Sequence, residues 1–238
     1  SVSPDEAYDF WFGAPGSAEF GRPRDFWFTK SAATDALIRS RFGPAVEAAL
    51  HGELDSWADG EPRKALALIL LLDQFTRNVF RDNARAFSGD ASALAIAKRL
   101  VADGRHLRLA PVERWFAYLP FEHSERIDDQ RESLRLFGDL ALEGLKEPLL
   151  WAQKHHDVIA RFGRYPHRNE LLGRASTAQE VEFFTCRYQH RYAPGGLDLL
   201  FGADIANRAH DILNNHEITG SDLLPSFSCT SFRPGSDN

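Results

Sequence analysis

The stretch PRKALALILLLDQFTRNVF, Pro62 to Phe80, decides the fold. It opens with a proline, a residue favoured in the first turn of an α-helix because no backbone hydrogen bond is lost there. The run Ala65–Leu72 that follows is apolar on every side of a helix, so we expect this helix to be buried at the centre of the molecule. Its eight residues fall far short of the roughly 20 that cross a bilayer, so no membrane span is predicted.

Outside this stretch the apolar residues recur at helical spacing, and no alternating apolar and polar run is long enough to indicate a strand. The sequence therefore predicts an all-α fold. Short connections favour antiparallel neighbours and hence a stack of helical hairpins. The other predicted helices are Ala33–Leu50 with a bend at Gly43 and Pro44, Asp90–Gly104 with Asp90 as its N-cap, Pro111 to a stop at Pro120, and Ile127 to about Gly144. A last helix carries Trp151, His155, Val158, Ile159 and Phe162 on one face and is stopped by Gly163.

The composition excludes some classes of partner. The 34 acidic residues outnumber the 28 basic ones, giving a net charge of −6, so the overall field does not attract nucleic acid or an anionic membrane. Cys186 and Cys229 lie in no metal-binding spacing, which favours a reducing compartment, and SVSPDEAYDF has no signal-peptide pattern. We therefore predict a cytoplasmic protein with no metal and no cofactor.

The chain changes character near its end. Residues 1–185 are predicted to form a single helical domain. After Phe184 the glycines, prolines and polar residues increase, with one modest helical pattern from Ile205 to Leu213. Residues 186–238 are therefore predicted to be an atypical C-terminal extension, an irregular and partly disordered tail ending in SFSCTSFRPGSDN.

The first candidate functional segment is LDQFTRNVFR, where Asp73, Arg77 and Arg81 follow one another at four-residue spacing. This spacing places them on one helix face, so an anion could bridge the two arginines beside Asn78. The structural alternative is that Asp73 pairs with Arg77 while Gln74 and Asn78 bond to backbone.

The second segment is YLPFEHSE, which contains Glu122 and His123. A carboxylate beside an imidazole is suited to general acid–base catalysis, because histidine titrates near neutrality. The alternative is that these polar groups cap the first turn of a helix. The spacing does not match the HExxH pattern of zinc proteases.

The third segment, KHHDVIARFGRYPHRNELLGR, holds five Lys or Arg against two acids, so it is locally +3. His155 lies on an apolar face and is predicted to pack in the core, whereas His156 points elsewhere. Four side chains at the helix end could converge on a carboxylate or phosphate, and the alternative is compensation of the helix C-terminus. These four are Arg161, Arg164, His167 and Arg168.

The chain also resembles a mainly bacterial family catalogued as domain of unknown function 924. Five stretches carry the resemblance and cover about residues 8 to 185. They are DFWFG at Asp9–Gly13, LALILLLDQFTRN at Leu66–Asn78, YLPFEHSE at Tyr118–Glu125, DQRESLRLF at Asp129–Phe137, and RFGRYPHRNELLGRASTAQE at Arg161–Glu180. The chain departs from the family pattern at Thr76, where proline is common, at Tyr165, where phenylalanine is usual, and in the tail from Cys186.

The resemblance implies a superhelical stack similar to tetratricopeptide domains, and it brings no activity, cofactor or catalytic residue. Our leading functional hypothesis is a helical binding module whose arginines bind an anionic small molecule or a peptide carboxylate. The second is a hydrolase-type enzyme in which Glu122 and His123 supply acid–base chemistry with His156 or His167 nearby, with or without a divalent metal. The third is a structural protein whose polar residues tie the helices together. The sequence does not determine the oligomeric state.

Overall fold

The apolar run Ala65–Leu72 lies at the centre of the fold, and all eight of its side chains are buried. The computed structural model describes residues 2–189, with side chains described for residues 2–183. The chain divides into two units, Ser1–Arg174 and Ala175–Asn238. Within the described residues the regular structure is helical and contains no strand, which confirms the predicted all-α class.

The first unit contains a succession of helices joined by short loops and 3₁₀ turns. A π-helical segment, Leu70–Phe75, connects two of these helices without a break in the helical backbone. The helices are α1 (Pro4–Phe12), α2 (Ala32–Leu50), α3 (Pro62–Ile69), α4 (Thr76–Val79), α5 (Asp90–Ala102), α6 (Pro111–His123), α7 (Ile127–Leu142) and α8 (Glu147–Phe162).

Local sequence signals set the helix ends. Ser3 and Glu6 form a capping box at the start of α1, with the Ser3 amide donating to Glu6 Oε2 at 2.7 Å. Proline occupies the first turn of α1, α3 and α6, where its missing N–H costs no hydrogen bond. Gly163 ends α8 in the left-handed conformation with a φ of 69°, which glycine adopts without a steric penalty.

The core is rich in aromatic rings packed around α3. Helix α3 contacts α1, α5 and α6, and Trp11 of α1 lies 5.4 Å from the Phe75 ring and 5.5 Å from the Phe116 ring, centroid to centroid. Burying each such side chain contributes about 1.5–3 kcal/mol. The core therefore holds α1, the π-helical segment and α6 against one another.

Two predicted helix boundaries are wrong. Pro120 does not stop α6, which continues to His123 because the flanking Leu119 and Phe121 are buried in the core and their packing outweighs the lost backbone hydrogen bond. Asp90 is not the N-cap of α5, since Gly89 occupies that position and Asp90 is the first helical residue. Its side chain instead binds arginines from other parts of the fold.

The second unit begins before the predicted domain boundary at residue 185. Helix α9 (Ala178–Gln189) crosses that position. It opens with a capping box in which the Thr177 amide donates to Glu180 Oε2 at 2.8 Å and the Glu180 amide donates to the Thr177 hydroxyl at 3.2 Å. The helical pattern from Ile205 to Leu213 and the predicted disordered end lie outside the described residues.

In the first unit α5 packs against α6, α6 against α7, and α7 against α8. The finer architecture, a stack of helical hairpins similar to tetratricopeptide domains, stays a prediction. Within residues 2–189, none of the helices combines the length and the apolar character needed to cross a membrane.

Candidate functional site

A π-helical turn places Asp73 inside the protein. Such turns fit one more residue per turn than an α-helix and occur frequently at functional sites. The Thr76 hydroxyl donates to the Leu72 carbonyl at 2.9 Å. A Cβ atom built on Gly89 would lie only 2.1 Å from that same carbonyl oxygen. Because Gly89 immediately precedes Asp90, this close contact fixes the π-helical segment against the start of α5.

Asp73 and His123 form a hydrogen-bonded pair. Asp73 is fully buried, and its Oδ1 accepts a hydrogen bond of 2.7 Å from Nδ1 of His123, which lies at the end of α6. The second oxygen, Oδ2, accepts from the Gln74 side chain at 2.6 Å. His123 keeps 16% of its side chain exposed. Within residues 2–183 no group hydrogen-bonds its Nε2, so this nitrogen is available to a water or a ligand.

The surroundings of Asp73 keep its carboxylate ionised. Burial alone would raise the pKa of Asp73, but its interactions with His123 and Arg77 and the hydrogen bond from Gln74 lower that pKa below its ordinary value. An ionised Asp73 in turn favours the tautomer of His123 that carries its proton on Nδ1. This arrangement presents the Nε2 lone pair outward.

Two arginines meet at one carboxylate beside this pair. Arg77 donates to both oxygens of Asp90, at 2.8 and 3.1 Å, and its NH1 also lies 3.5 Å from Asp73 Oδ1. Arg168 NH1 donates to Asp90 Oδ2 at 3.4 Å. The Arg168 guanidinium lies over the rings of Phe87 and Tyr165, at 4.6 and 4.7 Å from their centroids. Arg77 and Arg168, which are far apart in sequence, are therefore brought together.

A second carboxylate–histidine pair, Glu122 and His155, lies beside Tyr165, whose ring centroid is 5.6 Å from that of His155. Nδ1 of His155 is 3.0 Å from Oε1 of Glu122 and 2.8 Å from the Trp151 carbonyl. The hydroxyl of Tyr165 donates to the Glu122 carbonyl and accepts from the Gln130 side chain at 2.8 Å. The other carboxylate oxygen of Glu122 is buried and has no hydrogen-bond partner in the part of the chain that the structure describes.

His167 completes the group. Its ring lies 5.5 Å from the Tyr165 ring, centroid to centroid. Burial and the neighbouring positive charge of Arg168 hold the pKa of His167 well below its ordinary value, so this histidine is neutral at pH 7. We call the whole group the Asp73 cluster. Its members are Asp73, Arg77, Asp90, Glu122, His123, His155, Tyr165, His167 and Arg168.

The structure places other predicted site residues elsewhere. Asn78 and Arg81 bind Asp35 of α2, so Arg77 and Arg81 do not share an anion site. Nδ1 of His156 lies 3.3 Å from the carboxylate of its neighbour Asp157. Arg161 is exposed over the Phe162 ring, and Arg164 is half-buried just after the end of α8.

Two alternative interpretations of these segments are also corrected. Glu122 and His123 do not cap the first turn of a helix, because α6 runs through Pro120 and they form its last turn. Gln74 and Asn78 do not bond to backbone, because their side-chain amides bind the carboxylates of Asp73 and Asp35. Asp73 does approach Arg77, as that interpretation expected, but His123 is the closer partner.

Sequence reasoning missed the partners that complete the cluster. It treated Asp90 as a helix cap, assigned no role to Gln130, and noted Tyr165 only as a departure from the family pattern. The one local signal was the pair Gly89–Asp90, because a glycine at a helix start also permits close backbone approach. Among residues 2–183, no three His, Cys, Asp or Glu side chains are grouped so that they could hold a metal ion.

Comparisons with known proteins find similarity to proteins of unknown function. No curated protein sequence matches the chain. A solved structure of a protein of unknown function, ATU0120 from Agrobacterium tumefaciens, is 38% identical, with a TM-score of 0.66 over 76% of this chain and 95% of that one. The family described as bacterial protein of unknown function (DUF924) matches residues 7–187. The chain therefore belongs to the bacterial DUF924 family.

Proposed function

We propose that this protein is a hydrolase-type enzyme that uses His123 as its general base. The observation that carries the proposal is the 2.7 Å hydrogen bond from His123 Nδ1 to the buried carboxylate of Asp73. That bond orients the ring and leaves Nε2 as the acceptor on the exposed side. His123 keeps the acid–base role that the sequence suggested, but the carboxylate that hydrogen-bonds it is that of Asp73 rather than Glu122.

The chemistry follows from the tautomer. Nε2 of His123 takes a proton from a water molecule while the water oxygen forms a bond to the electrophilic carbon or phosphorus of the substrate. The leaving group departs with the bonding electron pair and takes the proton back from His123. Asp73 stays ionised and stabilises the imidazolium between these two transfers. No hydroxyl or thiol within residues 2–183 hydrogen-bonds His123, so water serves as the nucleophile.

The test is turnover of a panel of activated substrates, p-nitrophenyl acetate, p-nitrophenyl phosphate and an anilide, by the full chain. We expect His123→Asn and Asp73→Asn each to lower kcat/KM by about 10²-fold or more, the usual contribution of a general base. His156→Asn is the matched control, since His156 also has a carboxylate neighbour but lies outside the Asp73 cluster. Circular dichroism should show that all three variants are folded.

Equal loss of turnover in His123→Asn and His156→Asn, or no turnover of any substrate by the wild-type protein, would contradict the enzyme proposal. The binding module and the structural protein then become the better explanations of the cluster. The cytoplasmic location stays a prediction from the sequence.

A further inference from the structure

Arg168 is a buried cation that has more N–H donors than hydrogen-bond partners within the described residues. Its side chain is 8% exposed, yet the guanidinium makes one long hydrogen bond of 3.4 Å, to Asp90. Its Nε is buried and has no partner within the described part of the chain. A guanidinium has five N–H donors, and buried donors are normally satisfied. Arg168 is therefore held by the rings of Phe87 and Tyr165 more than by hydrogen bonds.

Arg77 lies on the other side of the same carboxylate. It occupies both oxygens of Asp90 and also approaches Asp73. Asp90 is thus one anion facing two guanidinium groups. The side chains of Asp90 and Arg77 keep 18% and 22% of their surface exposed, so this ion pair is only partly buried.

The two arginines differ in how well their charges are compensated. The charges of Asp90 and Asp73 raise the pKa of Arg77 despite its burial. For Arg168, burial and the nearby charge of Arg77 lower the pKa, and Asp90 offsets these effects only in part. Arg168 is the cation that a second anion would stabilise.

We propose that Arg168 and Arg77 bind an oxyanion group of the substrate, a carboxylate or a phosphate, at the place that Asp90 occupies as an internal counter-ion. This inference rests on the proposed function, because it takes the bound anion to be part of the enzyme's substrate. A guanidinium pairs with either oxyanion through two parallel N–H donors. The site lies next to the general base, because Arg77 and His123 approach the same oxygen of Asp73, at 3.5 and 2.7 Å. The substrate is therefore a molecule that carries an anionic group.

The test is binding of inorganic phosphate and of acetate to the full chain, each titrated separately and followed by NMR. We expect saturable binding of at least one anion, and which one binds distinguishes a phosphate from a carboxylate substrate. Arg168→Gln should weaken binding by about tenfold or more, since it removes a charged donor. Asp90→Asn should tighten binding, because it removes the competing carboxylate.

Arg81→Gln is the matched control, because Arg81 is also paired with a carboxylate, that of Asp35, but lies outside the Asp73 cluster. It should leave the anion affinity within about twofold of the wild-type value. Saturable binding of neither anion, equal affinities in Arg168→Gln and Arg81→Gln, or weaker binding in Asp90→Asn would overturn the proposal. His123→Asn separates the two proposals, since it should lower kcat/KM by about 10²-fold or more and leave anion binding within about twofold.

Discussion

The carboxylates of Asp35 and Asp73 both bind side chains from residues 74–81, but in different ways. Asp35 accepts hydrogen bonds from two nitrogens of Arg81 and from the Asn78 amide. Both of its carboxylate oxygens are therefore paired with side chains from residues 78–81. Asp73 binds a histidine whose other nitrogen has no partner within the described residues, and close by Arg168 keeps a buried donor unpaired. A fully paired carboxylate ties helices together, whereas unsatisfied groups beside a partly exposed imidazole suit a ligand.

The backbone beneath the two sites also differs. Asp35 projects from the regular helix α2, whereas Asp73 lies in a π-helical turn pressed against Gly89. An irregular backbone segment lowers the stability of the fold, so it persists only where the surrounding structure holds it in place. The Asp73 cluster therefore depends more on the packing around it than the Asp35 site does. We expect substitutions there to lower the free energy of unfolding by a larger amount.

The largest expected effect is that of Gly89→Ala. Its new Cβ would lie 2.1 Å from the Leu72 carbonyl oxygen, so the π-helical segment or the start of α5 must shift. We expect a loss of about 3 kcal/mol or more in the free energy of unfolding, measured by urea denaturation. Gly138→Ala is the control, since a Cβ at that position in α7 meets nothing within 4 Å and alanine should stabilise the helix by about 0.5–1 kcal/mol. Similar stabilities for the two variants would show that the Gly89 contact is not tight.

A smaller loss in the free energy of unfolding is expected for Asp73→Asn, about 1–3 kcal/mol at pH 7. The substitution removes a buried carboxylate that accepts hydrogen bonds from several neighbouring side chains. The pKa of Asp73 is lowered in the folded state, so its contribution is full above the unfolded pKa, near 3.8, and disappears as the pH falls through the folded value. In urea denaturation, the difference between wild type and variant should be constant from pH 7 to about 5 and shrink below that. A difference that grows on acidification would mean that the folded state raises the pKa instead.

The smallest effect is expected for Asp35→Asn, about 1 kcal/mol at pH 7 in the same measurement. Its partner Arg81 keeps 27% of its side chain exposed, so water can hydrate the guanidinium once the carboxylate is gone. Turnover and anion binding should be unchanged, because Asp35 lies outside the Asp73 cluster. Loss of either property in a folded Asp35→Asn protein would end the distinction between a structural and a functional carboxylate.

The sequence by itself determined the helices and the central position of Ala65–Leu72. Helix periodicity, first-turn prolines and left-handed glycines such as Gly163 act over a few residues, so they can be read locally. It also indicated His123 and Arg168 as residues with chemical potential. It failed at Pro120, where packing of buried neighbours overrode a local preference against helix.

Only the tertiary structure decided which polar residues meet. Asp73 and His123 are 50 positions apart, and Asp90 and Arg168 are 78 apart, so no local spacing relates them. Arg77 and Arg81 share a sequence period yet bind different carboxylates, because those carboxylates belong to helices brought in by long-range packing. Secondary structure follows from short-range preferences, whereas the identity of a site follows from how the core packs its helices together.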